Sequence, residues 1–171
     1  MSDILPDILP ETLPEMRDGE SLLGFDPLGR VDAELRFIGR IHTPWQRGNC
    51  PKNVTRARES GQGASITLEP GFAEGLTGLS VGDGILLFYW MHQARRDLIT
   101  QRPRHLTEAR GSFALRAPNR PNPISLAAVR ITSLDLAAGR IGIDAIDCFD
   151  GTPLLDIKPS APAVDVPPEL G

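Results

Sequence analysis

The segment Ala117-Pro118-Asn119-Arg120-Pro121-Asn122-Pro123 places three prolines within six residues. Each proline fixes its own φ and removes one backbone donor. Each also pushes the residue before it toward extended backbone, here Ala117, Arg120 and Asn122. The result is a stiff loop, poor in N–H groups, flanked by Arg116 and carrying Arg120, Asn119 and Asn122. On its N-terminal side, Ser112–Arg116 alternates like a strand with Phe113 and Leu115 on one face. On its C-terminal side, Ile124–Ile131 is small and aliphatic and reads as a buried strand. A rigid polar loop between two strands holds hydrogen-bonding groups in fixed geometry. The plainer reading is a stiff hairpin that only turns the chain.

The remaining pattern predicts more strands at short spacing. These are Leu35–His42, Ala64–Leu68, Ile85–Met91, Arg140–Cys148 and Leu154–Pro159. Pro70–Leu79 predicts a short helix, and Gln46–Gly63 a long polar loop. Asp150-Gly151-Thr152-Pro153 predicts a tight turn, with Gly151 free to take positive φ. Strands in this rhythm, with 17 glycines and 16 prolines, indicate a mostly β chain closed as a barrel or packed as a sandwich.

Met1–Arg30 reads differently. It repeats Asp-Ile-Leu-Pro, and its Leu-Pro steps forbid a continuous helix. It holds seven of the 22 acidic residues and two of the 18 basic ones. The other 16 basic and 15 acidic residues nearly balance, so a net charge of -4 does not exclude a polyanionic partner for the main domain. The expected organisation is an acidic arm over 1–30, a β domain over 31–166 and a tail over 167–171. The arm is expected to be disordered or laid on a neighbouring surface, such as a second subunit. No stretch has the length of a membrane span, and the N-terminus lacks the pattern of a signal peptide. Cys50 and Cys148 have no Cys or His at ligand spacing, so reduced thiols in a cytoplasmic protein and no metal site are expected. Dinucleotide, P-loop and nucleophile-elbow motifs do not occur.

Polar groups gather at the strand ends. His92 and Gln93 follow the most apolar run, and Arg95, Arg96, Arg102, Arg104 and Arg110 come next. That basic run is a solvated surface or an anion-binding face. Asp150 suits a ribose hydroxyl pair or an amine, and equally an Asx turn at Asp-Gly. Arg116 suits a bidentate carboxylate contact or an ion pair with Asp156.

Several blocks, in order, resemble one known family. Ile38-Gly39-Arg40-Ile41-His42-Thr43-Pro44 is similar to its opening Ile-Gly-x-Ile-x-Ser-Pro. Leu87–Gln93 and Arg102-Pro103-Arg104 follow its pattern, and Arg116–Leu126 resembles Arg-Ser-Pro-x-Arg-Pro-Asn-Pro-Ile-Gly-Leu. Asp150-Gly151-Thr152-Pro153 and Asp156-Ile157-Lys158-Pro159 match it throughout. The chain thus resembles the TrmO/TsaA-like family, also called YaeB-like or VirR-like, of S-adenosylmethionine-dependent methyltransferases. The resemblance implies a TsaA-like β-barrel, a homodimer, and methylation of N6 of a threonylcarbamoyl-adenosine beside the anticodon of a tRNA. A different substrate, or a cofactor-binding regulatory module, is the alternative.

The cofactor positions it implies are Pro51, Lys52, Asn53, His92, Gln93, Arg116 and Leu126, with Asp150, Gly151, Thr152 and Pro153. Asp150 and His92 are the candidates for proton acceptor, and Arg95, Arg96, Arg102 and Arg104 for phosphate contacts. The chain departs from the family pattern at Lys52 and Asn53 (where the family has Arg-Gln), at Ser125 (Gly) and at Asn119 (often aromatic).

Overall fold

The computed structural model describes residues 15–30 and 32–168. The Leu-Pro repeats of Met1–Pro14 lie outside the described residues. The chain forms two compact units, each drawn from two separate stretches. One comprises residues up to Leu35 with Trp90–Ser125; the other comprises Arg36–Tyr89 with Leu126 onward.

The second unit is built on a closed barrel. Its strands are β2 (Gly39–His42), β3 (Ala64–Leu68), β4 (Gly84–Trp90), β7 (Ile124–Asp135), β8 (Arg140–Ile143) and β9 (Thr152–Pro159). They close in the order β2-β3-β8-β7-β4-β9. Period-2 alternation explains the core. Ile85, Leu87 and Tyr89 of β4 point inward, and so do Ile41, Ile66, Val129, Ile131, Ile141, Ile143 and Leu154. Closure leaves no unpaired edge in the barrel. Between Phe88 and Tyr89 of β4, the register with β9 slips from Asp156 to Leu154, which leaves Leu155 as a bulge.

The first unit carries a three-stranded sheet of β1 (Ser21–Leu22), β5 (Leu98–Gln101) and β6 (Arg110–Gly111), in the order β1-β5-β6. Residues 15–22 of the arm are therefore joined to their own chain. Ser21 pairs with Thr100 and Leu22 with Leu98.

Several expectations are corrected. Ser112–Ala114 is a 3₁₀ turn rather than a strand. The Ser112 hydroxyl donates to the Leu98 carbonyl and accepts from Gln101 Nε2, so Ser112 is pulled inside and Phe113 is turned out to 79% exposure. β7 alternates and is half-buried, not buried throughout. The polar loop at 46–63 contains a helix, α1 (Val54–Glu59), because the Asn53 side chain accepts from Arg56 N and caps it. The predicted helix at 70–79 reduces to a 3₁₀ turn at Ala73–Leu76. After β9, a further short helix, α2, spans Pro162–Asp165.

Candidate functional site

In the barrel unit the candidate site grows from the Asp150 turn. Asp150 and Gly151 occupy its centre, with Gly151 at φ 76. Thr152 N donates to Phe149 O across the turn at 3.3 Å. Asp150 N donates to Trp45 O, and Gly151 N to Ile41 O. Arg40 Nη1 donates to the Gly151 carbonyl at 3.2 Å. The facing Thr43-Pro44-Trp45 loop is itself fixed: Thr43 Oγ1 donates to Cys148 O, and the buried Trp45 ring donates to Ile146 O. The turn therefore has little freedom, and its carboxylate is preorganised.

That carboxylate does not cap its own turn. Asp150 Oδ1 accepts from Thr43 N at 3.1 Å and lies 3.7 Å from His42 Nδ1. Both side chains remain over 40% exposed. Of the two readings of Asp150, the Asx turn gives way to a carboxylate held outward from a fixed loop. Beside it runs an open groove lined by His42, Thr43, Ser65, Thr132 and Ser133. Thr152 and Pro153, by contrast, are buried in β9, so they support the turn more than they present groups to solvent.

Pro51, Lys52 and Asn53 lead into α1. Lys52 is exposed, whereas the Asn53 side chain is occupied as the helix cap. Leu126 lies on β7 at 38% exposure. Burial pushes the thiol of Cys50 up to about 11 and that of Cys148 up to about 12. Both stay protonated at neutral pH and are poor nucleophiles. Among the described residues no group of three His, Cys, Asp or Glu side chains is placed to hold a metal ion.

In the other unit the proline-rich loop explains its own composition. Its prolines remove donors but leave carbonyls that need partners. Arg120 supplies them, with Nη1 donating to Leu115 O and Ala117 O and Nη2 to Ser112 O. The Arg96 Nε donates to Pro121 O at 2.7 Å, and its guanidinium lies 5.3 Å over the Trp90 ring. Asn119 Oδ1 accepts from Arg95 N, and Arg120 N donates to Arg95 O. His92 and Gln93, whose side-chain nitrogens are 3.4 Å apart, lie in the turn stitched to this loop. His92 borders a small hollow shared with Trp90, Met91, Pro123 and the arm's Leu28. Arg116 is exposed.

Replacing Arg120 with lysine is expected to cost about 2 kcal/mol, because one ammonium cannot reach three carbonyls in a fork. Urea denaturation of the Arg120→Lys variant measures it. An unchanged midpoint would show that the loop does not depend on the guanidinium.

The basic run is largely occupied. Arg95 is 7% exposed and grips Asp97 through Nε and Nη2 at 2.9 and 2.8 Å. The hydrogen bonds and charge of Arg95 hold the Asp97 carboxyl below its usual range, against the opposing effect of burial. Arg95 is thus engaged inside its own unit, its guanidinium turned to Asp97. Arg102 meets Asp18 at 3.4 Å, while Arg104 is exposed. Sequence reasoning also missed Arg58. Its Nε meets Asp144 at 2.6 Å, and Asp144 in turn accepts from Arg130 N.

A six-stranded closed barrel with a rigid acidic turn beside an open polar groove defines the class of protein: a closed β-barrel that presents a candidate site at one turn. The chain matches the tRNA-methyltransferase O N-terminal domain over residues 40–166, and it belongs to that family. It is 37% identical over 129 residues to a probable S-adenosyl-L-methionine-binding protein, VirR, of Rhizobium radiobacter, covering 75% of this chain and 71% of that one. It is 35% identical to a probable S-adenosyl-L-methionine-binding protein of Archaeoglobus fulgidus, but spans only 35% of that protein's length and 77% of its own. A crystal structure of TrmO from Pseudomonas aeruginosa superposes with a TM-score of 0.63 at 30% identity, covering 82% of this chain and 62% of that one.

Proposed function

We propose that this chain is an S-adenosylmethionine-dependent methyltransferase acting on N6 of a threonylcarbamoyl-adenosine beside the anticodon of a tRNA, working as a homodimer in the cytoplasm. The observation that carries the reading is family membership over residues 40–166, joined to an Asp150 carboxylate held outward by Thr43. S-adenosyl-L-methionine is the cofactor. A carboxylate in that position suits the hydroxyl pair of its ribose. In the barrel unit, Lys52, Leu126 and the 150–153 turn are the cofactor positions the family resemblance implies; His92, Gln93 and Arg116, in the other unit, are the remaining ones, each to be tested by its own substitution. When bound, the cofactor supplies an already activated methyl group.

The protein's own task is then alignment and proton removal. Rigid loops contribute by fixing the polar groups before substrate arrives. An amide-like N6 is a weak nucleophile and must lose its proton, for which Asp150 and His92 are the acceptors to test. The internal engagement of Arg95, Arg96 and Arg102 favours keeping a second reading, a cofactor-binding module without an RNA substrate.

Calorimetric titration with S-adenosylmethionine, followed by transfer of a labelled methyl to bulk tRNA, tests both. Binding with transfer supports the enzyme. Binding without transfer supports the module. Absence of binding would overturn both.

A further inference from the structure

The acidic segment at Asp18–Leu22 does more than border the basic run. Arg17 and Glu20 close a turn by Glu20 N donating to Arg17 O. From it, Glu20 Oε2 accepts from Arg17 N and Oε1 accepts from Arg102 N. Asp18 Oδ2 meets Arg102 Nη1 at 3.4 Å. Arg17 Nη1 donates to the Arg102 carbonyl at 3.0 Å. Next along the arm, the Ser21 and Thr100 hydroxyls lie 2.6 Å apart, and Leu23 N donates to Asp97 O. Two carboxylates thus occupy the guanidinium and the backbone N–H of one arginine. Those two donors together suit a phosphate oxygen equally well.

The cover is held weakly enough to leave. Its strand is two residues long, and both are exposed. Leu22 is 47% and Phe25 69% exposed, so little apolar surface fixes it. Elements of this kind open first. Arg102 lies against the arm, and the chain that follows it carries Arg104, His105 and Arg110, the last paired with Gln101. The segment also lies outside the stretch that matches the family, which begins at residue 40.

We infer that the arm is an intramolecular competitor: its Asp18 and Glu20 occupy the phosphate-binding surface at Arg102, and the phosphate backbone of RNA must displace them to bind. This rests on the proposed RNA substrate. It gives that substrate a second requirement, an open arm.

A reversible lock tests it without changing charge. Ser21 and Thr100 are directly paired, which suits a disulfide. In the full-length Ser21→Cys/Thr100→Cys variant, bulk tRNA should bind at least tenfold more weakly when the bridge is oxidised than after reduction. The native thiols, kept protonated, exchange slowly. In the Asp18→Asn/Glu20→Gln variant, tRNA should bind severalfold tighter than in the unaltered chain. There the slope of log affinity against log salt should steepen by about 1, as for one added phosphate contact.

Equal affinity of the oxidised and reduced forms would overturn the inference and leave the RNA reading standing. Cofactor binding with no tRNA binding in any form, including the reduced and neutralised ones, would overturn the RNA reading and the inference with it. Thermal melting of each form separates either result from misfolding.

Discussion

Gly39→Ala is expected to lower stability by about 3 kcal/mol or more, near the upper end of overpacking penalties. Gly39 is buried on β2 and pairs with Leu68 on one side and Leu154 on the other. A Cβ there would meet Thr67 O at 2.5 Å and Leu68 Cα at 3.0 Å. Both are backbone atoms of a closed barrel, and no rotamer change relieves them. For a chain of this length the melting temperature should fall by roughly 6–12 °C, measured by circular dichroism.

Gly142→Ala is the control. Its Cβ would meet the Ser133 and Thr132 hydroxyls, which are side-chain atoms able to move. The cost there should be about 1 kcal/mol. Equal effects at the two positions would mean that β2 and β3 are not packed as closely as described. The comparison also explains the glycine in Ile38-Gly39-Arg40-Ile41 as a matter of strand separation.

Asp150→Ala should weaken S-adenosylmethionine binding at least tenfold while leaving the fold intact. Asp150 is exposed, and its side chain contributes one hydrogen bond to Thr43 N–H. Its loss should cost about 1 kcal/mol of stability. Asp150→Asn separates the two contributions. The amide oxygen can still accept from Thr43 N–H, so the loop stays fixed, but the charge is gone. Weakened binding in both variants would place the carboxylate itself on the cofactor. Weakening only in the alanine variant would make Asp150 a positioning residue for the Thr43 loop. Wild-type affinity in both would remove Asp150 from the site.

The barrel was legible because its signals are long and periodic. The run Ile85–Met91 gave β4, and Ala64–Leu68 gave β3. Asp-Gly located the turn before β9 because only one position there needs positive φ. Shorter elements were hidden. β5 and β6 span four and two residues and lie in an arginine-rich stretch that reads as surface. At Ser112–Arg116 the alternation was too short to outweigh one buried hydroxyl, which made a turn of a presumed strand. The cap of α1 was visible as Asn53 before Val-Thr-Arg-Ala-Arg-Glu, but polarity masked it. The arginines of the site were legible as charges and not as partners. Which of them face solvent depends on Asp97, Asp18 and the carbonyls of the proline-rich loop, all set by tertiary contact.

The arm also has a place in time. Ser21 and its partner Thr100 are 79 residues apart in sequence. At synthesis rates of roughly 5–20 residues per second, the acidic segment waits about 4–16 seconds for its strand partner to be made. In that interval β2, β3 and β4 emerge in turn. The basic segment therefore enters a chain in which its counter-charge already exists. The cover is older than the surface it covers.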